Sequence, residues 1–340
     1  MKSAKKILII RTDRIGDVVL TLPMAKFIKQ AYPKSHITFL AREYTKAIPA
    51  NNKYIDEVIT FPVNDGKLLA ISLISLIKKG KYDTAVLVYP RFEIALALFI
   101  ARIKKRIGSG YRWFSFLFTD KIYEHRKTGE KHELEYNVNL LKPIGIENID
   151  KKSVSFDIQI TKESEQKINE LFVRYHIPKD KKLIIIHPGS GGSSIDLPIL
   201  KFIQLSNRLA HELDCSIVIT GSSSEIETCK KFMNRENTYN LAGELSLEEL
   251  MAVINKGELL IANSTGPIHL AAALNKSVVG FYPKVKECSV ERWGPYTNKK
   301  LIFSPTIDCT GCTREQCERL DCMSSINIDD VFSDIQKLLS

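Results

Sequence analysis

The sequence lacks any apolar run of the roughly 20 residues that a membrane-spanning helix needs; its longest, 68–77 and 94–101, are ten and eight residues long. Near the start, Lys2, Lys5 and Lys6 precede only four apolar residues before Arg11 intervenes, too short a stretch for a secretory leader. These absences point away from membrane-spanning and exported classes and towards a cytoplasmic chain. Low-complexity tracts are also missing, and 44% hydrophobic with 26% charged residues is the balance of a folded globular protein. The turn 11–17, R-T-D-R-I-G-D, has one glycine and so is not a dinucleotide fingerprint. The turn 187–194, H-P-G-S-G-G-S-S, lacks the terminal G-K-S/T of a Walker loop, which disfavours an ATPase.

What is present is a chain of 340 residues, longer than the roughly 250 to 300 at which single cores stop growing. The expected plan is a first domain over 1–160, a connection over 161–182, a second domain over 183–325 and a terminal helix over 326–340, with packing back on the first domain as one option for that helix. Charge is divided unequally. Residues 1–150 hold 26 Lys and Arg against 15 Asp and Glu, and the remainder 23 against 24. A basic first half suits an anionic partner, whether nucleic acid, phospholipid headgroups or a phosphorylated acceptor, although single lysine runs are more often solvated surface.

Strand and helix patterns alternate along the chain. Strands are expected at 6–11, 36–41, 57–61 and 84–89, with one helix running from Val18 towards Pro33 and others at 67–78 and 92–103. The second half repeats this, with strands from 183 and at 216–220, 258–261 and 278–282, and helices at 164–175, 200–213 and 328–339. Ser246 to Glu249 fits a capping box, and Asn327 an N-cap. The fold class is therefore α/β, two Rossmann-like doubly wound domains facing across a cleft. Ligands of such sheets bind beyond the strands' carboxyl ends, where Asp13, Asp17 and the Tyr89-Pro90-Arg91 turn should gather. Asp17 falls at a helix start, whose dipole should keep it ionised at neutral pH.

Residues 262–274, A-N-S-T-G-P-I-H-L-A-A-A-L, read as strand end, tight turn and helix. Gly266 permits the turn, Pro267 suits the first helical turn, and Ser264 and Thr265 offer hydroxyls beside the helix N–H groups, a natural anion site. The turns at 187–194 and 221–225 could meet phosphate oxygens and ribose hydroxyls. Between 111 and 118, Tyr111, Trp113, Phe114, Phe116 and Phe118 interleave with Arg112 near Lys104, Lys105 and Arg106; the run is either core or a membrane-interface contact. Of seven cysteines, Cys309, Cys312, Cys317 and Cys322 cluster, either as a structural metal site or as reduced thiols in a folded loop.

Taken together, R-I-G-D-V-V-L-T-L-P at 14–23, H-P-G-S-G-G-S-S, N-S-T-G-P-I-H-L-A-A-A-L, R-W-G-P-Y at 292–296 and the cysteine loop ending in C-M resemble the ADP-heptose:lipopolysaccharide heptosyltransferases, family 9 glycosyltransferases of GT-B fold. The resemblance covers nearly the whole chain. It implies an enzyme that moves heptose from ADP-heptose to a lipopolysaccharide core or lipid A-linked acceptor with inversion. The acceptor would lie on the first domain and the donor on the second. Asp17 matches the family's general base; Ser190, Thr265 and Gly266 match diphosphate positions, Glu225 the ribose position, and the Leu245 backbone the adenine contact. Ser264 and His269 belong to the same anion-binding turn and helix. Two departures stand out: Ile195 occupies a position where many members carry Lys, and Ser264 one where many carry Asp. Arg14 or Lys201 could compensate.

The physical chemistry asks for the same parts. Glycosyl transfer needs a carboxylate at the acceptor hydroxyl and N–H donors where charge builds on the departing diphosphate. No D-x-D pair is present to hold a metal–diphosphate complex, so no cofactor or metal is expected in the reaction. The expected site is cytoplasmic, with peripheral contact at the inner membrane's cytoplasmic face and no nucleic acid partner. Rival readings are an autotransporter-modifying heptosyltransferase, a non-catalytic ADP-sugar-binding homologue, and an epimerase, for which no converging acid and base can be identified.

Overall fold

The computed structural model describes residues 5–64, 67–126, 129–233, 236–307 and 312–340. It divides into two compact units, Met1–Gln159 and Ile160–Ser340.

In the first unit, β1 (Lys6–Ile10), β2 (His36–Ala41), β3 (Glu57–Thr60), β4 (Thr84–Leu87), β5 (Lys105–Ser109) and β6 (Asp120–Ile122) form one sheet in the order β3-β2-β1-β4-β5-β6. Every neighbouring pair is parallel. The order turns about β1, the doubly wound arrangement that leaves a crevice beyond the strand ends there. Ile7, Leu8, Ile9 and Ile10 are fully buried, as a strand covered on both faces requires. β5 and β6 escaped the sequence reading because K-R-I-G-S and D-K-I are short and charged. The single helix expected after β1 is two, Ile15–Val19 and Pro23–Ala31. Pro23 has no N–H to give and its ring would meet the preceding turn, so it opens the second helix instead of continuing the first.

The second unit repeats the plan with β7 (Lys182–His187), β8 (Cys215–Ile219), β9 (Thr238–Asn240), β10 (Leu259–Asn263), β11 (Ser277–Phe281) and β12 (Lys300–Phe303), ordered β9-β8-β7-β10-β11-β12. Its pairs are also parallel. The stretch expected as a connection, 161–182, lies in this unit: Thr161 caps helix Lys162–Arg174, which buries Ile168 and Phe172 and packs on helix Leu247–Lys256. The terminal helix Ile328–Leu339 also belongs here. It packs on helix Ile199–Glu212 and places Val331 and Ile335 in this unit's core.

Candidate active site

Two groups of functional side chains emerge, one in each unit. In the first, β1 ends at Ile10 and delivers Arg11, a guanidinium only 2% exposed. Burying that charge is tolerable only if its donors are met. Arg11 donates to Asp13 at 2.7 Å, to Asp17, to Glu133 at 3.3 Å and to the Asn137 Oδ1 at 3.1 Å. Arg126 donates to the same Glu133 and, at 3.1 Å, to the same Asn137 oxygen. The amide of Asn137 donates back to the Leu20 carbonyl at 3.1 Å, and the Thr21 hydroxyl to the Asp17 carbonyl at 2.8 Å. Helix Glu133–Asn139 is thereby tied to the turn that carries Asp17.

Asp17 remains partly open, with 15% of its side chain exposed. Burial pushes its carboxyl up, Arg11 pulls it down, and Asp13 and Glu133 push it up again, leaving it at about 7. This corrects the expectation of an ordinary ionised helix-start acid. Helix Ile15–Val19 has only five residues, and burial with two neighbouring carboxylates outweighs Arg11. Burial alone would lower the Arg11 pKa, but the three carboxylates hold it above its ordinary value. Tyr89 from the expected turn lies with its ring 6.0 Å from the Arg11 guanidinium, whereas Arg91 sits over Phe61 instead.

In the second unit, β7 and β10 are neighbours, with Ala262 opposite His187. Asn263 at the end of β10 is fully buried. Its amide donates to the Pro188 carbonyl at 2.6 Å and its oxygen accepts from the Leu197 N–H at 2.9 Å, so one side chain pins both ends of the glycine–serine turn. The Ser193 hydroxyl lies 2.9 Å from both the Ser190 and the Ser264 carbonyls, joining that turn to the start of helix Gly266–Ala273. Gly191 and Gly192 take φ of +55° and +73°, a backbone region that favours glycine. Thr265 is extended and makes no side-chain cap, which leaves the first helical turn suited to an anion.

Glu225 meets the same turn. One carboxylate oxygen accepts from the Ser222 N–H and hydroxyl, each at 2.7 Å, and the other would lie 1.6 Å from a Cβ at residue 189. A side chain at 189 would displace this carboxylate. Ser190, Ser264, Thr265 and His269 are buried, and Leu245 is half-buried beside the Ser246 cap. His187 is held neutral, its pKa lowered to about 4 by burial against the opposing pull of Glu225.

The Ile195 side chain packs into the second unit's hydrophobic core. Lys201 does not stand in for a missing cation, because its ammonium donates to the Ile326 carbonyl at 2.6 Å. The cation that does reach the turn is Arg314, which donates to the carbonyls of Gly192 at 3.3 Å and Ser194 at 2.9 Å. Arg14 is exposed at the N-cap of helix Ile15–Val19. Of the clustered cysteines, Cys317 and Cys322 are buried, Cys312 is half-buried, and Cys309 lies outside the described residues. Among the described residues, no group of three or more His, Cys, Asp or Glu is placed to hold a metal.

Sequence reading thus singled out Asp17 and the second unit's turns, but missed the roles of Arg11, Arg126, Glu133, Asn137, Asn263 and Arg314. The one available hint was Arg11 itself, a cation directly after four apolar strand residues.

The family-wide sequence model of glycosyltransferase family 9 (heptosyltransferase) matches residues 70–322. Lipopolysaccharide heptosyltransferase 1 of Campylobacter coli is 24% identical over an alignment of 352 residues that covers 98% of each chain. Lipopolysaccharide core heptosyltransferase OpsX of Haemophilus influenzae is 22% identical, with 99% of this chain and 98% of the relative covered. Among solved structures, a family 9 glycosyl transferase from Veillonella parvula superposes with a TM-score of 0.85 at 22% identity, covering 100% of this chain and 98% of that one. The Escherichia coli ADP-heptose lps heptosyltransferase II gives 0.81 at 20%, covering 98% of both chains. At such identities the structures establish the shared fold, the GT-B architecture of two Rossmann-like units. The sequence match spans most of the chain and establishes more: this protein is a glycosyltransferase and belongs to glycosyltransferase family 9, the heptosyltransferase family.

Proposed function

We propose that the enzyme moves a heptose from ADP-heptose to the inner core of lipopolysaccharide, with inversion at the anomeric carbon and without a metal. Asp17 takes the proton of the acceptor hydroxyl while that oxygen attacks the anomeric carbon on the face opposite the diphosphate. The bond from that carbon to the diphosphate oxygen breaks, and ADP departs with the electron pair. Ser190, Ser264, Thr265 and Gly266 receive the growing negative charge, with His269 behind them on the same helix; Glu225 holds the ribose and the Leu245 backbone the adenine. Preorganised donors of this kind act on the charge of the transition state. The basic first unit receives the acceptor's anionic groups, in peripheral contact with the cytoplasmic face of the inner membrane.

The observation that carries this reading is Asp17: a partly exposed carboxylate, raised to about 7, beyond the carboxyl end of β1. A general base works best when its pKa lies near the working pH. The relatives' names supply the sugar and the acceptor class.

The test is ADP release from ADP-heptose, with and without a heptose-deficient lipopolysaccharide core. Native enzyme should need the acceptor, and Asp17→Asn should release ADP at least about a hundredfold more slowly, with its ADP affinity unchanged. If the native chain binds the donor yet turns over on no acceptor, the reading fails in favour of a donor-binding homologue.

A further inference from the structure

We propose that one flank of the first unit is a docking surface for an anionic lipid bilayer. Helix Phe92–Ile100, F-E-I-A-L-A-L-F-I, is apolar at every position except Glu93. Such a helix is ordinarily enclosed. Here Ile94, Ala95, Ala97 and Leu98 are buried, while Phe99 and Ile100 face solvent at 50% and 39% exposure. The loop that follows β5 lies along the same helix and adds Trp113 at 73% and Phe116 at 65%.

These rings stand on a fixed base. Trp113 stacks on Phe92 at 4.8 Å between centroids, and Phe114 beneath it is buried and packs edge-on against both. Arg106 joins the far end of the flank, its guanidinium 5.4 Å from the Phe99 ring and its Nε donating to the Leu117 carbonyl at 2.7 Å. Little side-chain freedom is therefore left to lose on binding.

Charge selects the occupant. Arg102, Lys104 and Arg112, next along the chain to this helix and its loop, are exposed. The acids nearby are already engaged: Glu93 lies 3.8 Å from Arg91, and Asp120 3.6 Å from Lys105. Exposed aromatic rings, with cations beside them in the chain that form no ion pair among the described residues, match the headgroup zone of an anionic bilayer, where rings enter the interface and cations meet phosphates. No helix among the described residues is long and apolar enough to cross a membrane, so the contact is peripheral. The loop leaves the carboxyl end of β5, beside β4 and on the same side of the sheet as Asp17. That a lipid-borne acceptor is thereby presented to Asp17 rests on the function proposed above; the docking itself does not.

The test uses the full chain. Trp293→Phe leaves Trp113 as the single tryptophan of the two present. On vesicles of phosphatidylglycerol and phosphatidylcholine, Trp113 emission should shift to the blue and the protein should sediment with the vesicles, less so as salt rises. Trp113→Ala with Phe116→Ala, and separately Lys104→Glu with Arg112→Glu, should each weaken binding by about tenfold or more. Binding that survives both double variants overturns the proposal, as does equal binding to phosphatidylcholine alone. So does self-association lost in the same variants with no vesicle binding, which would make the flank an interface between copies. ADP release with a deacylated, water-soluble acceptor should be kept in all these variants. If native enzyme lacks that release yet binds vesicles as described, the proposed transfer has failed and the docking surface stands.

Discussion

The two units share one strand order but hold charge in opposite ways. In the first, the side chains of Arg11, Arg126, Asp13, Asp17 and Glu133 converge. In the second, the turn at 188–194 and the start of helix Gly266–Ala273 offer backbone and hydroxyl groups, with Glu225 and Arg314 at the margin. On the function proposed above, the difference matches the two halves of the reaction. Moving a proton needs a titratable group whose affinity is set by its neighbours, whereas receiving charge on a leaving diphosphate needs dipoles that do not titrate. In the first cluster burial, with the Asp13 and Glu133 carboxylates beside it, raises the proton affinity of Asp17 against the pull of Arg11.

The largest effect should come from removing the hub of that cluster. Arg11→Met takes from Asp13, Asp17 and Glu133 the buried guanidinium they share and should cost about 3 to 5 kcal/mol of folding stability. Denaturant unfolding should show a lower midpoint with an unchanged slope, and Arg11→Lys should recover part of the loss. A cost under about 1 kcal/mol would mean that the cluster is solvated and that the contrast with the second unit is false.

Next comes Ile195→Lys, which introduces the cation that the family resemblance led one to expect there. Because Ile195 packs into the second unit's core, the new ammonium must be buried or must displace its neighbours, and stability should fall by roughly 2 to 4 kcal/mol. Donor turnover should not improve. A variant with higher turnover and native stability would show that the position faces the leaving group after all.

The first cluster can also be tuned without being broken. As the proposed base Asp17 would have to be ionised to accept a proton, so kcat/KM should rise with pH through about 7 and level off above it. Glu133→Gln removes one of the two like charges that push Asp17 up and should move that limb down by about one pH unit or more. An unmoved limb would show that burial and Asp13 alone set the value.

How much of this was legible follows the same division. The second unit's turns announced themselves because glycine, serine and proline in a fixed local order specify backbone geometry. The turns holding Ser190, Glu225, Thr265 and Gly266 could be singled out from sequence, and Asp17 by its place at a helix start; their roles came from the family resemblance. The strand alternation gave the doubly wound class, missing β5, β6, β9 and β12, which are short or charged. The network around Arg11 was not legible: Glu133 and Asn137 lie more than a hundred positions away, and an H-E-L-E-Y-N helix carries no mark of burial. Chemistry fixed by local backbone shape can be read along the chain, while chemistry made by converging side chains waits for tertiary structure.

Arg314 is where the contrast is weakest, since it brings a side-chain cation to a site otherwise built of backbone. Its guanidinium is about half exposed and shared between Glu318 and the carbonyls of Gly192 and Ser194. An ion pair that open adds little to stability, so Arg314→Gln should leave unfolding within about 1 kcal/mol of native. What it should change is the turn. With two carbonyls released, the loop must be ordered by the donor itself, and the donor KM should rise by about three- to tenfold, with a smaller change in kcat. Arg314→Lys keeps the charge but not the fork that spans two carbonyls, and should recover only part of the loss. If kcat fell instead and KM held, Arg314 would be acting on the leaving group directly, as the cation that Ile195 cannot be. The second site would then resemble the first more closely than their folding suggests.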